Sequence, residues 1–331
     1  MGEKKYFEEI DITKGFAILL AVIGHSFPDA EIGWKIVGKD SFAFFLEKWI
    51  YSFHMPVFFL FAGFLFIPRL HKMGVGATLL KRFNRLMLPY LFFSILYILI
   101  KTIGASYANH PLSQNFWVEM LLGVSPANGC WFLWVLFVMS LICVVFRKIG
   151  TYGLLILSVL MAVISFIDSS WMIGQIKHVF HDFVWFALGG VLANYYDVVK
   201  SHLNKAVIGI LAFVVLTCLR FVAYFPFKEY VITLSGIIMM FYLGIRISET
   251  GENVIHNAAK TLGLYCMDIY ILSMLTVIPL RVLYINFHFS NYVPYYLWLV
   301  FVSVLGCVIP IILSKYIVRK NKWLSMFVIG R

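Results

Sequence analysis

The chain has 331 residues, of which 62% are hydrophobic and only 13% charged. No soluble core could hide that much apolar surface and leave so little polar surface for water, so lipid must be the solvent for most of it. The basic residues behind the net charge of +11 sit at the ends of apolar runs, not in a stripe interleaved with exposed aromatics, which argues against a nucleic-acid partner and fits a signal for membrane orientation.

Apolar runs of spanning length alternate with short polar joints, so the sequence predicts an all-α, polytopic transmembrane bundle in a single domain over 1–331. The predicted spans are 12–30, 49–67, 86–104, 130–146, 151–167, 179–196, 206–225, 230–247, 262–283 and 294–318, ten in all. The first apolar run, 16–23, also has the length of a signal-peptide core with Ala30 near a cleavage point, but Glu3, Glu8, Glu9 and Asp11 spoil the basic leader of such peptides. Segment 113–124 is too short to span. It sets Phe116, Trp117, Met120 and Leu121 against Gln114, Asn115 and Glu119, the pattern of an amphipathic helix lying in the interface. Cys130, Cys143, Cys218, Cys266 and Cys307 have no metal-ligand spacing, and an odd number in apolar segments argues against a disulfide framework. No internal repeat is evident, which weakens a reading as a transporter built from inverted halves.

Lysine and arginine set the orientation. With both termini inside, 19 of the 27 basic residues fall on the cytoplasmic side, while Lys35, Lys39, Lys48, Lys101, Lys177, Arg220, Lys228 and Arg281 fall in or near outward loops. That split agrees with the positive-inside rule.

An ionisable residue inside a span is costly and needs a reason. Asp11, Lys14, Ala21 and His25 share one face of the first span, which therefore cannot face lipid. His25 lies about 21 Å deeper than Asp11 at 1.5 Å per residue, so Asp11 is expected to pair with Lys14, one turn on, or with a nearby arginine. His25 is also the side chain in that span whose pKa suits a general base near neutrality. In the second span, Phe53-His54-Met55-Pro56 puts a histidine beside a proline that frees a carbonyl, and His54 either bonds such a carbonyl or has a functional role. Arg82 and Arg85, read as a loop at a solvated helix end before the third span, suit either a phosphate grip or orientation alone.

In chain order the motifs are Asp11-x-x-Lys14-Gly15 with His25, Phe53-His54-Met55-Pro56 leading to Gly63, Arg82-x-x-Arg85 before Pro89-Tyr90, Trp131-Phe132-Leu133, Phe186-Ala-Leu-Gly189, and Leu262-Gly263-x-Tyr265 with Ile269-Tyr270. Together they resemble the integral-membrane acyltransferase family 3, and this short form is similar to the fucose 4-O-acetylase-like members. The resemblance implies a multi-pass O-acyltransferase of the bacterial inner membrane, surrounded by membrane lipid. It would move an acyl group, acetyl from cytoplasmic acetyl-CoA, to a hydroxyl of a surface-polysaccharide or lipid-linked sugar. By the same resemblance His25 matches the essential histidine, with His54 and Asp11 as further catalytic candidates. Lys14, Arg82 and Arg85 would hold the donor, Trp131 and Tyr270 would touch the substrate, and no metal is expected. The oligomeric state is left open.

Two positions depart from the family pattern. Many relatives carry arginine at the place of Lys14, which keeps the charge and loses the bidentate fork. Many also end the late motif in histidine, where Ser273 stands here. A second, esterase-like module of longer relatives is not expected. The alternative function is a transporter or flippase for a lipid-linked or acylated sugar, in which the polar stripe lines a pathway. The orientation is checked by cysteine-accessibility labelling: a cysteine placed in 105–129 should react from outside, and reaction from the cytoplasmic side alone would overturn the topology.

Overall fold

Elements follow from where polar groups interrupt the apolar runs. The computed structural model describes residues 6–27, 38, 41–72, 74–103, 112–126, 128–289 and 292–331. Lys4, Lys5, Lys35, Lys39 and residues 28–30 of the first predicted span lie outside the described residues, as do 104–111 and 127 of the predicted outer loop. The described residues form helices and no strand. In order they are α1 (Glu8–Ser26), α2 (Phe42–Tyr51), α3 (His54–Phe66), α4 (Val75–Arg82), α5 (Leu88–Ile103), α6 (Phe116–Leu121), α7 (Trp131–Val145), α8 (Gly150–Ile167), α9 (Ile176–Asn194), α10 (Tyr196–Leu203), α11 (Ala206–Cys218), α12 (Lys228–Glu249), α13 (Val254–Leu264), α14 (Cys266–Asn286), α15 (Tyr295–Tyr316) and α16 (Lys322–Ile329).

Six helical stretches among the described residues are long and apolar enough to cross a membrane: Phe42–Arg69, Val75–Ile103, Arg147–Ile167, Lys228–Glu249, Cys266–Asn286 and Tyr295–Lys320. The pair α10 and α11, bent by 80° at its joint, makes a seventh if taken as one span, and α7 is apolar but shorter. By length and composition the described residues thus hold six candidate spans, or seven with that pair. On α11 and α15, Val207, Ile210, Leu297 and Val300 are each more than 60% exposed, as lipid-facing side chains should be.

The chain divides into two compact units, one of Met1–Phe58 with Tyr196–Ile312 and the other of Phe59–Tyr195 with Leu313–Arg331. In the first, α1 packs against α12, α13 and α14. A Cβ on Gly15 would collide with the carbonyl of Ala259, and one on Gly263 with the carbonyl of Asp11, so the antiparallel crossing of α1 and α13 needs both glycines. Ion pairs staple the start of α1: Lys260 bonds Glu8, while Lys200 and the Tyr196 hydroxyl bond Glu9. The Lys260 ammonium holds the Glu8 carboxyl below its ordinary range. Further along, Ile18, Ala21 and Val22 of α1 pack with Ile269, Val277 and Val302.

Pro56 cannot supply the amide that would bond the carbonyl four residues earlier, that of Ser52. The Thr233 hydroxyl of α12 bonds it instead, at 2.7 Å.

In the second unit, Gly63 meets the carbonyl of Phe186 and Gly189 meets the carbonyl of Leu60, a second antiparallel crossing closed by reciprocal glycines. The segment expected as a loop before the third span is helical instead. A π-helical turn, Phe83–Met87, joins α4 to α5 without a break. The reason lies in Pro89, whose missing amide frees the Arg85 carbonyl and lets the turn widen. Segment 113–124 holds the short helix α6 and is tied to α5. The Met120 carbonyl accepts the Tyr90 hydroxyl at 2.6 Å, and Ser125 pairs with Ser94 at 2.8 Å. The segment therefore lies beside the start of α5, roughly 13 Å or more short of the far end at 1.5 Å per residue. Two hydroxyls on an apolar helix need partners where water is scarce, and this segment supplies them.

Gly189→Ala should destabilise the detergent-solubilised protein by about 1–3 kcal/mol, because the added methyl has backbone in its way. Gly76→Ala, with nothing within 4 Å, should not. Thermal unfolding followed by size-exclusion fluorescence compares the two, and equal midpoints would refute the close-crossing account.

Candidate functional site

The last turn of α1 ends in His25, half-buried. The end of α2 brings Tyr51 beside it, with the hydroxyl 3.4 Å from Nδ1, at the long limit of a hydrogen bond. Two residues separate α2 from α3, which continue as one helical stretch, and His54, three residues on, lies beside Tyr51 with ring centres 5.1 Å apart. His54 is buried, 2% exposed, and its Nδ1–H donates to the Ile50 carbonyl at 3.0 Å. That carbonyl belongs to the last turn of α2 and is not the one Pro56 frees. The Arg281 guanidinium of α14 donates to the His25 carbonyl at 2.7 Å. Arg281, counted in or near an outward loop and inside the predicted span 262–283, sits in α14 and fixes the end of α1, where carbonyls lack intrahelical partners.

Asp11 and Lys14 pair with each other, Nζ to Oδ1 2.6 Å, as the one-turn spacing predicts. Tyr270 is half-buried and packs against the cluster that includes Ile18 and Val22. Ser273 is buried in the same helix.

The remaining candidates belong to the second unit. Neither arginine stands at a solvated helix end. Arg82 is half-buried with its guanidinium 3.8 Å from the centre of the Phe66 ring, and Arg85 donates from Nη1 to the Ile329 carbonyl at 2.7 Å. Gly330, at φ 65°, brings the chain end so close to Arg85 that a side chain there would strike its backbone. The paired arginines therefore organise a turn and anchor α16, whatever else they hold. Trp131 is half-buried and stacks on His178, ring centres 4.4 Å apart.

The site thus keeps His25 and His54 together through Tyr51 and sets the Asp11–Lys14 pair at the other end of α1. Sequence reasoning missed Tyr51, Arg281 and the His178–His181–Asp182 group of α9. An apolar cavity of about 400 Å³, lined by Leu19, Trp49, Phe213, Met240 and Tyr242 among others, holds none of the candidate polar groups. Among the described residues no three His, Cys, Asp or Glu side chains converge as metal ligands.

A family model described as an acyltransferase domain matches residues 7–312. The nodulation protein NolL of Mesorhizobium japonicum is 27% identical over 155 residues, 45% of this chain and 38% of that protein, so the match spans less than two fifths of the relative. No solved structure matches.

Arg85→Ala should speed amide hydrogen exchange in α16 on the order of tenfold, since a hydrogen bond from a charged group is worth about 1.5 kcal/mol at the low end. Arg82→Ala should leave α16 as it is. Unchanged exchange in the Arg85 variant would show that the anchor lies elsewhere.

Proposed function

Because the chain belongs to the integral-membrane acyltransferase family 3, we propose that it is a multi-pass O-acyltransferase of the bacterial inner membrane, moving acetyl from cytoplasmic acetyl-CoA to a hydroxyl of a surface-polysaccharide or lipid-linked sugar. The topology that goes with this reading is ten spans with both ends inside, supported by the basic residues gathered on that side. A charged donor then arrives on the cytoplasmic side, where Lys14 of the first unit and Arg82 and Arg85 of the second are its candidate cations. Its phosphates suit cationic side chains, and its thioester must be threaded inward to a base.

His25 is that base, and its placement carries the reading. Its ring is half-buried at the end of a helix whose last carbonyl is clamped by Arg281, and Tyr51 stands at Nδ1. With Nδ1–H donated to the Tyr51 oxygen, Nε2 is the proton acceptor. The acceptor hydroxyl gives its proton to Nε2 as its oxygen forms a bond to the acyl carbon. The carbon–sulfur bond breaks, and the imidazolium returns the proton to the departing coenzyme A thiolate. His54 supports this arrangement from behind Tyr51, and Asp11 holds Lys14 in place at the donor end. Trp131 and Tyr270 are assigned to acceptor contact.

His25→Gln keeps size and hydrogen bonding but cannot take up a proton at neutral pH. It should lower transfer of labelled acetyl to a sugar acceptor by ~10²–10⁴-fold, the usual worth of a general base, with donor binding retained. A folded His25→Gln protein working near the wild-type rate would sink the assignment. A wild-type protein that carries a lipid-linked sugar across vesicles without acylating it would place the chain among transporters.

A further inference from the structure

The net charge of +11 is carried by one of the two compact units. Met1–Phe58 with Tyr196–Ile312 has 13 Lys and Arg against 13 Asp and Glu, whereas Phe59–Tyr195 with Leu313–Arg331 has 14 against 3. A bias set only by the side on which a loop lies gives no reason for one unit to be neutral and the other strongly basic. In the neutral unit, acids match the cations: Lys14 pairs with Asp11, Lys200 with Glu9, Arg246 with Glu249 and Lys260 with Glu8. The three acids of the basic unit are Glu119 of α6, Asp168 just past the end of α8, and Asp182, which His178 and His181 bond. None lies in Leu313–Arg331, which holds five Lys and Arg.

Within that stretch, the last turn of α15 and the link to α16 gather lysines around exposed apolar side chains. The Lys315 ammonium lies 5.3 Å and the Lys320 ammonium 5.7 Å from the centre of the Tyr316 ring, so two like charges share one ring. Lys322 opens α16 two residues later. All three lysines are exposed, and none has a carboxylate partner among the described residues. Tyr316, Ile317 and Trp323, beside them in the chain, are 56%, 53% and 69% exposed. The backbone under this surface is held in place: Val318 is buried, Arg319 Nε donates to Ser314 Oγ at 3.1 Å, Asn321 caps α16, and α16 packs on α5. Like charges gathered on a fixed surface repel one another unless an anion sits among them.

We propose that Lys315, Tyr316, Ile317, Lys320, Lys322 and Trp323 form a docking site for an anionic phospholipid of the surrounding bilayer. Charge complementarity selects the headgroup. Three ammonium groups without acids suit a lipid of net negative charge, whereas a zwitterionic headgroup brings a cation of its own. The apolar neighbours select a lipid over a soluble anion. Tyr295–Lys320 is long and apolar enough to cross a membrane, so the lysines stand where such a helix leaves the hydrocarbon. Exposed tyrosine and tryptophan suit that depth, with headgroups on one side of them and acyl chains on the other. The site uses none of the residues assigned to donor, acceptor or proton transfer, and it holds whether or not the chain transfers acyl groups.

The test titrates the detergent-solubilised full-length protein with phosphatidylglycerol or phosphatidylcholine and counts bound lipid by native mass spectrometry. The wild type should take its first phosphatidylglycerol more tightly than its first phosphatidylcholine. Replacing all three lysines, Lys315→Gln with Lys320→Gln and Lys322→Gln, should weaken phosphatidylglycerol on the order of a hundredfold, at about fivefold per lysine near a membrane surface. Phosphatidylcholine should bind the variant as it binds the wild type. The matching arginine triple should keep the preference, and Lys205→Gln, an exposed cation of the neutral unit, should leave it unchanged. Excess sn-glycerol 3-phosphate, which has the phosphate and no acyl chains, should not displace the lipid. Equal phosphatidylglycerol affinity in wild type and the glutamine triple, or an equal loss for phosphatidylcholine, would overturn the proposal. Full displacement by glycerol 3-phosphate would overturn it in favour of a free-phosphate site. If the triple fails to fold, Lys320→Gln with Lys322→Gln should still weaken phosphatidylglycerol selectively, and no loss in that pair would be equally fatal.

Discussion

Each unit depends on one antiparallel helix crossing closer than side chains allow. In the first, Gly15 and Gly263 meet the carbonyls of Ala259 and Asp11; in the second, Gly63 and Gly189 meet those of Phe186 and Leu60. Lipid tails are as apolar as leucine, so burial gives little drive for helices to associate within a bilayer. Close van der Waals approach must supply it. The glycines of the family motifs are thereby explained without chemistry: Gly15 follows Lys14 because α13 crosses there, and Gly263 precedes Tyr265 for the same crossing. Once α1 is fixed against α13, the positions of Asp11, Lys14 and His25 along it are fixed too.

The second constraint is the cost of unpaired backbone groups away from water. Prolines make such groups, and both interior examples near the candidate residues are compensated. Thr233 covers the Ser52 carbonyl freed by Pro56, and Pro89 is accommodated by the π-helical turn that carries Arg85. Arg281 does the same for the end of α1. Charged side chains here serve as caps as well as candidate ligands.

Much of the fold was legible because periodicity and length are local properties. Helices cover much of each apolar run, although the run predicted over 262–283 is divided between α13 and α14, and the Asp11–Lys14 pair follows from one-turn spacing. What was not legible depends on the return of the chain in space. The docking of segment 113–124 on α5 runs through the hydroxyls of Tyr90 and Ser94, which carry no sign in sequence of where their partners come from. Tyr51 stands three residues before His54, but its approach to His25 depends on how that stretch packs against α1. The His178–His181–Asp182 group is different: its i, i+3, i+4 spacing stands in the sequence, and attention to the first span passed over it.

The same accounting separates the two histidines beside Tyr51. His54 is sealed, with Nδ1 spent on the Ile50 carbonyl, and a proton added to it would put an uncompensated charge in an apolar interior. His25 stands at a helix end, half-buried, with partly exposed Tyr51 between it and the sealed ring. The C-terminal end of a helix also favours a cation, since the macrodipole leaves partial negative charge there. An imidazole that must gain and lose a proton during a reaction is better placed at such an end than in the core. Burial therefore suits His54 to structural support, and of the two histidines His25 is the better placed for the proposed proton transfer.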